Sequence, residues 1–373
     1  MRIAFDHQAF CLQKTGGISR YFFHLAEQLA IMGEDVGVFS PLYRNQYARQ
    51  LQQKIVHGGY VKDYPPRCAD AAVAFNGVLA RRQLRAWQPD VVHETYFSKT
   101  RSGSDKTPTV LTVFDMIGEL GLDAEAPTPA ELKRSKKYAA VKRADHVICI
   151  SEHTRQDLIR LYQVSPAKTS TIHLGCAAAT PADTLALKVV KPYLLYVGLR
   201  AGYKNFARFI QGFASSAPLR SSFDIVAFGG RGFSTEEQAQ LQALKLPPDQ
   251  VRQIDGGDIE LATYYRQASA LVYPSCYEGF GLPPLEAMAY QCPVVSSQLT
   301  AMPEVIGDAA EFFEPTDVAS ISEAIQKVVF SPERTKGLIA KGLARVQQFT
   351  WQNCAARHLD LYQELVKYPV TRQ

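Results

Sequence analysis

Pro274-Ser275-Cys276-Tyr277-Glu278-Gly279-Phe280-Gly281-Leu282-Pro283-Pro284-Leu285-Glu286-Ala287-Met288 decides how this chain folds. The apolar run before it, residues 268–273, reads as a buried strand. After it Leu285, Met288 and Ala289 recur at helical spacing. Gly279 and Gly281 permit a tight turn, and Pro283 or Pro284 suits the first turn of a helix. The expected unit is therefore strand, glycine loop, helix. Backbone N–H groups at such a helix start, with the helix dipole behind them, favour a phosphate. Glu278 falls on the loop and Glu286 about one turn inside the helix, so an anion site lies between two hydrogen-bond acceptors. That arrangement suits a nucleoside diphosphate carrying a sugar at each end. Without the Gly-Phe-Gly-Leu-Pro core, two glutamates at this spacing would read as an ordinary solvent-facing loop.

The same alternation of strand and helix runs outward in both directions, which predicts an α/β protein with a mainly parallel sheet in each domain. In the first half the strand-like runs are residues 3–5, 36–39, 91–93, 110–114, 146–150 and 169–173. Helical patterns cover 19–32, 75–87, 129–143 and 151–161. Around residues 176–191 the pattern fades into small residues and Pro181, and a second series begins at 193–197. A chain of 373 residues exceeds the usual single core, so two domains are expected. The boundaries are a first domain at 1–178, a linker at 179–191, a second domain at 192–350 and a terminal helix at 351–373, with Thr350 as its cap. In open α/β sheets ligands gather at the carboxyl ends of strands, and the candidate residues fall there.

Arg200 and Lys204 follow the run Tyr193-Leu194-Leu195-Tyr196-Val197-Gly198, and two cations past a strand end can neutralise a diphosphate. Gly16 and Gly17 precede the first long helical pattern, where backbone N–H groups can approach a phosphate closely. His93 and Asp115 end two successive strands of the first domain. His93 reads equally as a strand-end histidine satisfied by its neighbours.

Composition excludes other classes. The first 180 residues carry 23 Lys and Arg against 17 Asp and Glu, and the remainder carries 18 against 19. The basic helix pattern containing Lys133, Arg134, Lys136, Lys137, Lys142 and Arg143 is either a solvated face or a contact with anionic lipid headgroups. No basic stretch interleaved with aromatics points to nucleic acid. No apolar run approaches a membrane span. The seven cysteines, at 11, 68, 149, 176, 276, 292 and 354, form no Cys-x-x-Cys pair and read as reduced thiols, so a cytoplasmic protein is expected. With no Asp-x-Asp, His-Glu-x-x-His or cysteine cluster, neither a metal nor another cofactor is expected.

The segment from Glu278 to Glu286 resembles the glutamate, seven residues, glutamate signature of retaining glycosyltransferases, and most closely glycosyltransferase family 4. Further points of similarity are Arg200 with Lys204, the Gly16-Gly17 pair and Ala301-Met302-Pro303-Glu304-Val305. The resemblance implies the GT-B fold: two doubly wound, Rossmann-like domains facing across a cleft, with the C-terminal helix crossing back to the first domain. It implies a retaining, metal-independent transfer of a hexose, mannose from GDP-mannose first and UDP-glucose second. The acceptor would be a hydroxyl of a glycan or lipid-linked glycan in lipopolysaccharide, O-antigen, capsule or exopolysaccharide synthesis, at the cytoplasmic face of the inner membrane. Glu278 would contact the transferred sugar and Glu286 the ribose. Arg200, Lys204, Gly279, Phe280, Gly281 and Leu282 would hold the diphosphate, with Gly16 and Gly17 lying against the donor. Many members carry histidine at a first-domain strand end where this chain has Phe114-Asp115, which leaves Asp115 and His93 as the polar candidates. Rival readings are a same-fold sugar synthase or phosphorylase, a nucleotide-sugar epimerase, and a catalytically silent nucleotide-sugar-binding subunit of an assembly complex.

Overall fold

A computed structural model describes residues 1–65, 69–176, 191–200 and 202–368, with Ala69 and Asp70 by backbone alone. It divides into two compact units. Unit 1 comprises residues 1–119, 127–175 and the chain from 351 onward, and unit 2 comprises 120–126 and 176–350. All but Lys191 of the expected linker, together with Cys68, lies outside the described residues.

Among the described residues unit 1 is built on seven strands: β1 (Arg2–Phe5), β2 (Asp35–Tyr43), β3 (Val56–Tyr60), β4 (Val91–Glu94), β5 (Thr109–Val113), β6 (His146–Cys149) and β7 (Thr169–Thr171). Their order is β3-β2-β1-β4-β5-β6-β7, with every pair parallel. The order therefore reverses between β1 and β4. Helices cover a parallel sheet on both faces, so its central strands are buried along their length; β4, β5 and β6 are. β3 escapes the hydrophobic pattern because it is a half-exposed edge strand carrying Gly58 and Gly59, joined to β2 across a register shift between Phe39 and Leu42.

The expected helix at 129–143 is two helices, Pro129–Arg134 and Lys136–Arg143. Ser135 leaves helical geometry at φ −66°, ψ 151°, and its hydroxyl accepts the Tyr138 N–H, so it stops one helix and caps the next. Thr128 and Glu131 close a capping box on the first.

The last helix, Trp351–Lys367, belongs to unit 1 and packs on the helix Gly17–Ile31. Trp351 stacks on His24 at 4.7 Å between centroids. A Cβ at Gly175 would lie 2.5 Å from the Trp351 backbone and indole, so only glycine fits this crossing.

Among the described residues unit 2 has six parallel strands: β8 (Tyr193–Val197), β9 (Asp224–Phe228), β10 (Val251–Ile254), β11 (Ala270–Tyr273), β12 (Val294–Ser297) and β13 (Ala310–Phe313). Their order is β10-β9-β8-β11-β12-β13, reversing between β8 and β11. Its core joins the sheet residues Leu194, Ile225, Val272 and Val295 to Phe209 and Phe213 on one helix and Ile321, Ile325 and Val328 on another. At roughly 1.5–3 kcal/mol per fully buried large aliphatic or Phe side chain, this cluster supplies the main driving force for the unit.

Candidate active site

The reversal between β8 and β11 leaves a crevice at the carboxyl ends of these two neighbouring strands, where doubly wound sheets bind ligands. Lys204 follows β8 and Glu278 follows β11, and the structure joins them: Lys204 Nζ donates to Glu278 Oε1 at 2.6 Å. Two backbone devices fix this pair. Asn205, in the left-handed region at φ 59°, donates its side-chain amide to the carbonyls of Pro274 (3.0 Å) and Pro315 (2.7 Å). The Cys276 N–H donates to the Tyr203 carbonyl at 2.7 Å. The loop carrying the lysine is thus sewn to the loop carrying the glutamate. The Glu278 N–H donates to Thr300 Oγ1 at 3.0 Å, and Glu278 is 7% exposed.

The helix predicted after the glycine loop runs Leu282–Ala289, with Gly281 at its N-cap. Gly281 has φ 98°, which favours glycine, and a Cβ there would lie 2.4 Å from Met302 Cε, so the methionine tip would have to shift. Pro283 and Pro284 occupy the second and third helical positions. Proline has no N–H, so within this first turn only Leu282 can donate, which makes the anion site narrower than the sequence alone suggests. Glu286 lies on this helix and accepts from the Tyr265 hydroxyl at 3.2 Å. Burial, and then the Glu286 carboxylate, push the Tyr265 hydroxyl well above the usual tyrosine range, so it remains a donor. Tyr273, at the end of β11, is likewise pushed up by burial and by Glu278.

Arg200 does not join Lys204. Its side chain is 5% exposed; Nε donates to Glu237 Oε1 at 2.6 Å, and its remaining nitrogens reach the carbonyls of Gly229, Arg231 and Gly232. The guanidinium also lies 4.8 Å from the Phe233 ring centroid. In this structure Arg200 clamps the loop after β9, and Lys204 is the cation beside Glu278. The sequence could not separate the two, because their partners Glu237 and Glu278 come from distant elements. Tyr265, Thr300, Asn205 and Glu237 were missed for the same reason. Only Asn205 carries a local signal, as an asparagine suited to a left-handed residue before a helix.

In unit 1, Gly16 is the N-cap of Gly17–Ile31. Gln13 caps this helix from its side chain, its Oε1 accepting the Ser19 N–H at 3.1 Å. A Cβ at Gly16 would sit 2.7 Å from that oxygen, whereas nothing lies within 4 Å of one at Gly17. Asp115 lines a cavity of about 300 Å³ with Ile18, Tyr96, Phe97 and Glu119. Its Oδ1 accepts the Ile117 N–H at 3.1 Å.

His93 is buried inside unit 1. It has no exposed surface, Nδ1 lies 2.6 Å from the Tyr362 hydroxyl, and Nε2 lies 2.8 Å from Thr112 Oγ1. Burial, reinforced by His358, holds it well below the usual histidine range, so the ring is neutral. It anchors the terminal helix. Among the basic candidates, Lys137 turns inward to Glu119 (2.8 Å), and Arg143 turns inward to fully buried Glu94 (2.9 Å). Lys133, Arg134, Lys136 and Lys142 remain exposed.

Among the described residues, no three His, Cys, Asp or Glu side chains are grouped to hold a metal, and no helix is long and apolar enough to cross a membrane. Six described cysteines are unbridged, five of them buried.

Comparison with known proteins places this geometry. Residues 15–178 match the model of Glycosyltransferase Family 4, and residues 183–345 match that of Glycosyl transferases group 1. The chain is 31% identical over 240 residues to O-antigen chain mannosyltransferase B of Escherichia coli, covering 61% of this chain and 63% of that protein. It is 30% identical over 195 residues to O-antigen chain mannosyltransferase RfbU of Salmonella typhimurium strain LT2, covering 52% and 54%. The chain thus matches between half and two thirds of the length of these curated relatives. A crystal structure of Anabaena HepE in complex with UDP and glucose shares the fold at a TM-score of 0.74 and 16% identity, covering 98% of this chain and 100% of that one. With two successive family matches from residue 15 to residue 345, and a doubly wound sheet under each, the chain belongs to glycosyltransferase family 4 and has the GT-B fold.

Proposed function

We propose that this protein is a retaining, metal-independent hexosyltransferase that moves a sugar, mannose from GDP-mannose first, to a hydroxyl of a glycan or lipid-linked glycan in O-antigen or related lipopolysaccharide synthesis. The observation that carries the reading is the Lys204–Glu278 pair at the strand reversal of unit 2. The mannosyltransferase names of the relatives support the choice of sugar and pathway. On binding, the diphosphate takes Lys204 together with the N–H groups about Gly281 and Leu282, and Glu278 is released to the hydroxyls of the donor sugar. Glu286, steadied by Tyr265, receives the ribose. Lys204 then stabilises the charge that grows on the departing phosphate, which is the role a divalent metal would otherwise fill. The bond from the anomeric carbon to that phosphate breaks, a bond to the acceptor oxygen forms on the same face, and the acceptor proton passes to a phosphate oxygen. Configuration is retained. Acceptor recognition is assigned to unit 1, with Asp115, while the Gly16-Gly17 turn lies against the donor. Work at the cytoplasmic face of the inner membrane fits the four exposed cations from Lys133 to Lys142.

The test is turnover of GDP-mannose and UDP-glucose, with EDTA present, on short O-antigen glycans, read by the glycoside formed and its anomeric configuration. An α-linked product from GDP-mannose supports the reading. An inverted product, or turnover that requires added metal, contradicts it.

A further inference from the structure

Unit 1 holds a second cavity, of about 330 Å³, that the residues above do not account for. It opens beyond the carboxyl ends of β1 and β4, where the order of the unit 1 sheet reverses. His7 lies just past β1, Lys99 and Thr100 lie on the loop after β4, and Gly77 and Arg81 belong to the helix Ala69–Trp87. Lys136 completes the lining, in which no residue is acidic. Three permanent cations therefore surround a concave site that offers them no carboxylate.

The floor of the cavity makes it specific. His7 is 8% exposed, and its Nδ1 is buried without a hydrogen-bond partner among the described residues. Burying a polar atom without a partner is costly, so such an atom is rarely retained without a use. The two polar neighbours that might have served it are committed elsewhere: Gln8 Nε2 and Ser102 Oγ both donate to Asp6 Oδ2, at 2.7 Å each. The ring edge faces Gly77, where a Cβ would sit in ordinary contact, 3.7 Å from His7 Nε2. Burial lowers the affinity of His7 for a proton, and a neutral imidazole still carries one N–H to donate.

We infer that this cavity binds a phosphate or diphosphate group carried by the acceptor, with Arg81, Lys99 and Lys136 balancing its charge and His7 donating from the floor; the inference rests on the assignment of acceptor recognition to unit 1. Guanidinium and ammonium groups together suit a multiply charged oxyanion, the first through paired donors and the second as a point charge. Val78 and Phe97 on the same lining favour an organic ester over the bare ion.

The test is calorimetric titration of the full-length protein with inorganic pyrophosphate and with geranyl diphosphate, both in the presence of saturating GDP. Both ligands are expected to bind the wild type, and the Arg81→Ala, Lys136→Ala double variant to weaken each by at least about tenfold, while GDP affinity stays unchanged. Gly77→Leu, which adds bulk to the cavity at a helical position where leucine is favoured over glycine, should block both ligands with no loss of melting temperature. Tighter binding of geranyl diphosphate identifies a prenyl-carried acceptor as the source, and tighter binding of pyrophosphate a small phosphorylated one. Absence of binding to the wild type, or equal affinity in the double variant, overturns the inference. Failure of the nucleotide reading is distinguishable, because it shows as absence of GDP binding to the wild type while pyrophosphate still binds and still responds to the Arg81 and Lys136 substitutions.

Discussion

Lys204 and Glu278 meet at 2.6 Å across the carboxyl ends of two neighbouring strands, so the cation and the carboxylate of the proposed nucleotide site neutralise each other. Their side chains are 17% and 9% exposed, which removes most of the solvent screening that makes surface pairs weak. A diphosphate that takes the lysine must displace the glutamate, and a sugar hydroxyl can then take the lysine's place on it. The two residues are assigned opposite effects on binding and turnover.

Replacing Glu278 by Ala should lower turnover at least about a hundredfold, the scale of one lost transition-state contact. Nucleoside diphosphate affinity should stay unchanged or improve, because Lys204 loses its competitor. Steady-state rates beside calorimetric GDP and UDP affinities check this. A large fall in affinity for the bare nucleotide would mean that the roles of Glu278 and Glu286 are exchanged.

Arg200 separates folding from binding. Arg200→Ala leaves Glu237 and the Gly229, Arg231 and Gly232 carbonyls without their partner, a loss of about 2–4 kcal/mol. Chemical denaturation should show that loss, with less effect on nucleotide affinity than Lys204→Ala produces. Unchanged stability with abolished nucleotide binding would return Arg200 to the phosphate site.

The helix order and the position of the site could be read from residues close in sequence. Alternating apolar runs marked the described strands of unit 1 other than β3, and the Gly-Phe-Gly-Leu-Pro-Pro loop marked the helix start. What escaped depends on partners far along the chain. His93 at a strand end looks like a cleft residue until Tyr362, 269 residues away, closes over it. Arg200 and Lys204 look alike until Glu237 and Glu278 claim one each. Lys137 and Arg143 look like part of a solvated basic face until Glu119 and Glu94 draw them inward. Hydrophobic periodicity reports which way an element faces and carries no information on which charge meets which.

The anchoring of the terminal helix should depend on pH. His358 is held down to about 4 by burial, with Nδ1 on the Cys354 carbonyl and Nε2 against the Tyr21 hydroxyl. Buried His93 is lowered as well. An unfolded histidine titrates near 6.5, so between that value and about 4 the unfolded chain binds more protons than the folded one. Stability contributed by the neutral ring is therefore fully present above pH 6.5 and is lost as pH falls toward 4, by roughly 3 kcal/mol for His358. Urea denaturation from pH 7.5 to 4.5 should show this slope, and His358→Phe should flatten it. An unchanged slope in that variant would remove His358 from the explanation.

Gly281→Ala should destabilise unit 2 by about 1–3 kcal/mol, chiefly from positive φ with the Met302 tip displaced, and should weaken nucleotide binding with it. Melting temperature with and without GDP reads both. A variant of wild-type stability and affinity would show that the loop tolerates another path.

The most direct test of the central claim is calorimetric binding of GDP and UDP, in EDTA, to the wild type and to Lys204→Ala. The reading predicts metal-free binding to the wild type, tighter for GDP, and a loss of at least about tenfold in the variant. Equal affinity in the two proteins, or binding only on addition of magnesium, would contradict the assignment of Lys204 as the cation that holds the diphosphate.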